Sequence, residues 1–292
     1  MNRYRSIMTA FVVAGALYGL PTPSAHAQEE AATPPMQHWS FAGPFGQYDP
    51  EQLQRGFKIY REVCSNCHSL NLLSFRNLAE PGGPDFTAAQ AAAIAATFQV
   101  TDGPNDKGQM FQRPGKISDN FPPPFPNVEA ARAALGGGAP PDMSTLAKAR
   151  TYDEGFPWFI IDAFTMYQEQ GPDYIHAIIN GYVKPPAGST LPPGTYYNEY
   201  FPGHAIKMPQ PLHAGQVKYT DGTPETLDQY GRDVAAFLMW ASEPKLDERK
   251  ELGFQVMIFL IVFTGLLYFT KKKIWHEVEH PPEREQQRAP TA

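Results

Sequence analysis

The chain has few cysteines: among 292 residues there are only Cys64 and Cys67, and both fall in one five-residue motif. That scarcity excludes a disulfide framework and a zinc site built from two cysteine pairs. Charge is sparse too, at 18% of residues, and Leu252 to Thr270 carries none at all. No internal repeat is present, which excludes a solenoid or a propeller. Residues that interrupt regular structure are abundant instead: 30 Pro and 24 Gly, both poor in helix and strand interiors. Such a chain builds much of its fold from loops. Loops bury little apolar surface by themselves, so a large apolar cofactor is expected to organise the core.

Two segments bear on compartment. Arg3 and Arg5 precede an apolar run from Met8 to Leu20, and Ala25-His26-Ala27 offers the small residues that a signal peptidase reads. Residues 1–27 therefore read as a secretory leader, with the mature chain starting at Gln28. The uncharged run Leu252–Thr270 would be about 28 Å long as a helix, close to the hydrocarbon thickness of a bilayer. Lys271, Lys272, Lys273 and Trp275 follow it. Basic residues stay on the cytoplasmic side. The expected organisation is a periplasmic domain at 28–250, a transmembrane anchor at 251–273 and a cytoplasmic tail at 274–292. This places the protein in a bacterial inner membrane, crossing it once. Residues 28–270 hold 17 basic and 26 acidic side chains, a net charge of about nine negative. A surface of that sign can steer a basic soluble partner, and no nucleic-acid partner is expected.

Along the chain, Asp49-Pro50-Glu51 reads as the start of a helix running to Cys64, with Leu53, Phe57, Tyr60 and Val63 on one face. Thr87–Thr97, Asp142–Arg150, Pro172–Tyr182 and Thr226–Trp240 read as further helices. Residues 102–142 read as mostly loop, and 183–225 as loop with turn signals. Ser242-Glu243-Pro244 begins the helix that enters the membrane. The stretch 155–171 is rich in aromatics, among them Phe156, Trp158, Phe159, Phe164 and Tyr167.

Cys64-Ser65-Asn66-Cys67-His68 is a Cys-x-x-Cys-His motif, the attachment pattern of c-type haem. The two thiols add to the haem vinyl groups, and the adjacent His68 falls beneath the iron. A redox dithiol would need a βαβ setting, which the chain lacks. A sixth ligand distinguishes electron transfer from chemistry at an open iron. Outside the leader and the anchor the candidates are Met36, Met110, Met143, Met166, Met208 and Met239. Met208 is favoured because its proline-rich, non-helical surroundings (Phe201 to Pro211) hold a side chain rigidly; His204 competes within that stretch. Buried propionates need cations, for which Arg150, Arg132 and Arg76 are candidates.

Several further stretches carry a family resemblance. They are Arg55-Gly56-Phe57, Asp102-Gly103-Pro104-Asn105, Arg113-Pro114-Gly115-Lys116, Pro140-Pro141-Asp142-Met143-Ser144, Tyr200-Phe201-Pro202-Gly203 up to Met208, Asp221-Gly222-Thr223-Pro224, and Trp240-Ala241-Ser242-Glu243-Pro244 before the anchor. With the haem motif and in this order, from about Trp39 to Trp275, the chain resembles the cytochrome c1 family, the haem subunits of ubiquinol–cytochrome c reductase (bc1) complexes. The resemblance implies a mainly α, loop-rich class I cytochrome c domain plus one C-terminal transmembrane helix, holding one covalently bound haem c. It implies that Cys64 and Cys67 attach the haem, that His68 and Met208 bind the iron, and that Arg150 meets a propionate. Pro140, Pro141, Leu146, Tyr174, Ile178, Phe201, Ile206 and Pro211 match pocket-lining positions, and no residue has a catalytic role. The implied partners are cytochrome b, the Rieske iron–sulfur protein as electron donor and a cytochrome c as acceptor, in a dimeric complex. Three departures stand out: residues 151–171 are longer than in mitochondrial members, an extra cysteine pair of some bacterial relatives is missing, and Leu135 replaces a polar residue.

Overall fold

The computed structural model describes residues 31–152, 155–165, 167 and 169–279. The expected leader and the last 13 residues of the tail lie outside the described residues, as does Met166. Helix α1 (Pro50–Glu62) starts as its sequence dictates. The Asp49 carboxylate accepts from the amides of Glu51 and Gln52, and Pro50 contributes no amide to be left over. Leu53, Phe57 and Tyr60 are buried along one face. A 3-10 turn at Cys64–Asn66 follows, then a second 3-10 segment at Phe75–Ala79. Helix α2 (Ala88–Ala96) is closed by reciprocal bonds between Thr87 and Gln90. Strands β1 (Gln99–Asp102) and β2 (Phe111–Pro114) form an antiparallel hairpin with Gln99 opposite Pro114.

Next come helices α3 (Val128–Ala134), α4 (Leu146–Ala149), α5 (Trp158–Thr165) and α6 (Gln170–Asn180). A two-residue ladder joins β3 (Tyr196–Tyr197) to β4 (Ala205–Ile206). Helix α7 (Leu227–Ser242), capped by Thr226, and helix α8 (Leu246–Glu279) complete the order. Some expectations need refining. Helix α3 and strand β2 fall in 102–142, read as mostly loop, with the Asn127 cap as the available signal for the helix, and the β3–β4 ladder lies in 183–225, read as loop. Only one turn of Asp142–Arg150 is helical, because the Asp142 carboxylate is drawn into other bonds described below.

Helix α7 is the centre of the domain, with α1, α4 and α6 packed on it. Gly56 lets α1 approach: a Cβ there would stand 2.1 Å from the Asp233 carbonyl oxygen. Around this crossing lies a cluster of rings. Phe237 packs against Phe57, Tyr60 and Trp240, and Phe121 against Phe57, Tyr60, Phe75 and Phe98. Each such ring contributes about 1.5–3 kcal/mol by leaving water. Loops as well as helices deliver aromatics, Phe121 among them, to one contiguous cluster.

Two fully buried carboxylates tie distant segments together. Asp233 accepts from Arg55 Nε at 3.1 Å, the Tyr219 hydroxyl at 2.7 Å and Gln229 Nε2 at 2.9 Å. Asp173 accepts from Trp39 Nε1 at 2.9 Å and the Gln37 amide at 3.0 Å, and also from the hydroxyls of Tyr152 and Tyr167. Burial raises the pKa of both, and the donors oppose it. The tyrosines at the two ends of the aromatic insertion thus fasten it to α6.

The first turn of α8 belongs to this domain. Leu246 is buried, the Tyr48 amide donates to the Asp247 carboxylate at 3.3 Å, and the Lys250 ammonium donates to the carbonyls of Phe41 (2.5 Å) and Gly46 (3.1 Å). Leu246–His276 is long and apolar enough to span a membrane, and its most apolar 18-residue stretch has a mean hydropathy of 2.2 and is nowhere buried. The helix thus extends past both bounds of the uncharged run.

Candidate haem-binding site

Helix α1 delivers the motif. Past Glu62 the chain tightens, and the amides of Cys67 and His68 both donate to the Cys64 carbonyl, at 3.1 and 2.9 Å. This wraps the two cysteines and the histidine into a single turn. The cysteines are half-buried and not bonded to each other. Burial pushes the Cys64 thiol up to about 12, so it stays protonated at neutral pH. A redox-active dithiol needs the opposite.

His68 is buried, and its Nδ1 lies 2.9 Å from the carbonyl oxygen of Pro141. A carbonyl only accepts, so Nδ1 carries the proton and Nε2 keeps a free lone pair. Burial lowers the His68 pKa, with the Pro141 carbonyl working against it. The ring is therefore a neutral imidazole with one nitrogen oriented and the other available, the arrangement of a histidine metal ligand. The Tyr60 hydroxyl donates to the His68 carbonyl at 3.3 Å.

Pro141 is held by its neighbour. Asp142 Oδ2 accepts from the Ser69 hydroxyl (2.7 Å) and the Asn71 amide (2.9 Å), and Oδ1 from the Ser144 amide (2.8 Å). Burial acts to raise the pKa of Asp142, yet the hydrogen bonds from Ser144, Asn71 and Ser69 prevail and hold it below the usual carboxylate range. This clasp closes the loop from 69 to 144 and keeps the Pro141 carbonyl over His68.

The Met208 segment is built separately. The Tyr182 hydroxyl donates to the Met208 carbonyl at 3.0 Å. Asn198 Nδ2 donates to the Ile178 carbonyl at 2.7 Å, tying α6 to the segment that carries Phe201 and Ile206. The turn at Gly137 lies against Lys207, so the run up to Met208 passes beside the loop that leads into Pro140 and Pro141. Ile178 and Ile206 are buried; Tyr174, Leu146, Phe201, Pro140 and Pro211 are half-buried, and Pro141 is exposed. His204 is buried, stacked on Tyr197 at 5.0 Å with Nδ1 3.1 Å from the Asn198 carbonyl.

Arg150 ends α4, exposed and near Tyr174; burial raises the Tyr174 phenol and the Arg150 charge opposes that. Among the described residues it is in no ion pair, unlike Arg132, which pairs with Glu129 at 3.0 Å on the surface. Sequence reasoning missed Pro141 as the orienting acceptor, Asp142 as its support and Tyr182 as the clamp on Met208. A thiol pair wrapped in one turn with a histidine whose Nε2 is free fits a covalently bound haem.

The family model for the cytochrome C1 family matches residues 39–278. The chain belongs to the cytochrome c1 family. Its cofactor is haem c, and it is a haem subunit of a bc1 complex acting in electron transport. It is 59% identical over 271 residues to a Bradyrhizobium diazoefficiens protein named cytochrome b/c1, which covers 92% of this chain and 39% of that one. It is 49% identical over 278 residues to cytochrome c1 of Blastochloris viridis, over 94% of this chain and 98% of that one. The mitochondrial cytochrome c1 haem protein of Schizosaccharomyces pombe is 43% identical over 265 residues, 90% of this chain and 79% of that one. The chain thus spans under half of the Bradyrhizobium protein and nearly all of the Blastochloris one. Helix α8 fits the single membrane anchor of such a subunit.

Proposed function

We propose that this chain takes electrons singly from the Rieske iron–sulfur protein and passes them to a cytochrome c. In this reading cytochrome b lies beside α8 and the assembled complex is dimeric. The leader is removed, the haem domain is periplasmic and the tail after Lys273 is cytoplasmic. The observation that carries the reading is the oriented, neutral His68 beside two unbonded thiols. Bound haem supplies a reversible one-electron carrier there.

The chain's own residues do the rest. Cys64 and Cys67 tether the group, so a carrier that exchanges partners never loses it. His68 binds through Nε2, kept in its tautomer by Pro141. Met208, its backbone steadied by Tyr182, would supply the second iron ligand, and a methionine there would suit electron transfer better than chemistry at an open iron. Arg150 neutralises a propionate. Pro140, Tyr174, Ile178, Phe201, Ile206 and Pro211 keep water from the ring, as does Leu146. The roughly nine negative charges of residues 28–270 attract a basic acceptor before contact.

The first test is Met208→Leu. Haem stays attached, and the midpoint potential falls by on the order of 100 mV, within the roughly 0.8 V that axial ligands span. An unchanged midpoint in a redox titration removes Met208 from the site. The second is stopped-flow electron transfer to a basic cytochrome c. The rate drops as salt shortens the screening length from about 30 Å at 0.01 M to about 10 Å at 0.1 M; a flat profile leaves the charge to solubility. Purification without a b-type cytochrome or a Rieske protein argues against the assembly.

A further inference from the structure

The segments that flank the aromatic insertion are tied to the corner from which the membrane helix departs. Lys148, at the end of α4, pairs with Glu243 at the α7–α8 corner, and Glu243 also binds Arg249 of α8 at 2.5 Å. At the other end, Tyr167 binds Asp173, which holds Trp39. Trp39 stacks on Phe41 at 5.4 Å, Phe41 packs on Tyr48 at 5.1 Å, and the Phe41 carbonyl receives the Lys250 ammonium. Burial raises the Tyr48 phenol, and the carboxylates of Glu243, Asp247 and Glu169 add to it, so Glu169, just before α6, also faces this corner. The segments that flank the insertion are thus linked, through these side chains, to Glu243, Arg249 and Lys250, which precede the uncharged run.

Between those ends the chain turns apolar side chains outward. Phe156 is 80% exposed, and Trp158, Ile160 and Ile161 are exposed on α5. Asp162 faces back to the domain, accepting from Gln170 at 2.9 Å. A soluble domain gains nothing by showing water such a patch. The domain already reaches the anchor elsewhere: exposed Phe45 packs edge-on against Phe254 of α8 at 5.5 Å. An apolar patch with a tryptophan beside a membrane helix has the chemistry of the bilayer interface, where aromatic rings sit at headgroup level.

We propose that α5 and the preceding Phe156 rest in the outer interfacial layer of the bilayer, as a second contact that fixes the tilt of the haem domain on its anchor. The proposal depends on α8 spanning the membrane. Because haem consumes both native cysteines, one introduced cysteine is the only free thiol, and a spin label there reports its surroundings. The full-length, haem-loaded protein is placed in phosphatidylcholine vesicles, with labels in Ile160→Cys and Trp158→Cys. Val128→Cys on α3 serves as the aqueous reference, and Leu260→Cys as the anchor reference. The ratio of collisions with oxygen to those with a water-soluble nickel chelate is expected to be several-fold higher at 158 and 160 than at 128, and lower than at 260. If the ratio at 158 and 160 equals that at 128 while 260 stays high, the patch faces water and the inference fails alone. Low collision rates with both reagents at 158 and 160 mean protein covers the patch, which also overturns it. A water-like ratio at 260 overturns the anchor reading and the inference together.

Discussion

Helices α7 and α8 follow one another with only Glu243–Lys245 between them, and both are strongly apolar, yet they live in opposite surroundings. From Tyr230 to Ala241 only Arg232 of α7 escapes burial. Helix α8 exposes nearly every apolar side chain from Leu252 to Phe269. Apolar content therefore does not tell a core helix from an anchor. What separates them is polar punctuation. Helix α7 carries Asp228, Arg232 and Asp233, and Asp233 reaches Arg55 and Tyr219 in other segments. The run 252–270 of α8 has no charge with which to bind anything. Its rings pair along the helix itself, as Phe259 and Phe263 do at 5.7 Å.

That contrast is testable with matched substitutions. The largest effect is expected from Phe237→Ala in α7, which empties the centre of the ring cluster and costs about 3–5 kcal/mol of domain stability. Phe263→Ala in α8 leaves the domain's thermal midpoint unchanged. Equal losses from the two, read by haem absorbance during heating, break the comparison. Next are the glycines. Gly56→Ala drives a methyl into the Asp233 carbonyl and costs about 1–3 kcal/mol or more, whereas Gly265→Ala, with open space around it, costs nothing. Denaturant midpoints of the detergent-solubilised protein decide this.

The smallest effect concerns the Asp142 clasp. Its pKa is lowered in the folded state, so its contribution is present above the unfolded value near 4 and is lost as pH falls through the folded value. Asp142→Asn gives up one charged acceptor, worth about 1–3 kcal/mol, and flattens the loss of stability below about pH 4. Thermal scans across that range check it. An acid profile identical to that of the native chain means the clasp does not titrate.

Much of the site was legible in sequence because its chemistry is local. The cysteines and His68 lie within five residues, and the cap and stripe of α1 follow from neighbours three and four apart. The proposal for Met208 also rests on a local signal, the prolines around it. The burial of His204 was not legible, since stacking on Tyr197 depends on the β3–β4 pairing, which two residues per strand scarcely announce. The ring cluster was hidden too: Phe121 stands in a proline-rich loop whose course nothing local fixes.

Sequence alone determined the haem motif, the start of α1, the span of the uncharged run and the acidic balance, because each depends on composition or on spacing within one or two turns. Tertiary structure alone decided which nitrogen of His68 is free. The acceptor is a backbone carbonyl 73 residues away, and a carbonyl looks the same on every residue. It likewise decided that Asp173 gathers Trp39, Tyr152 and Tyr167, and that α5 turns Trp158, Ile160 and Ile161 outward. Such contacts arise where loops close over long separations, and the closing is set by the packing of the whole domain and by no residue's identity.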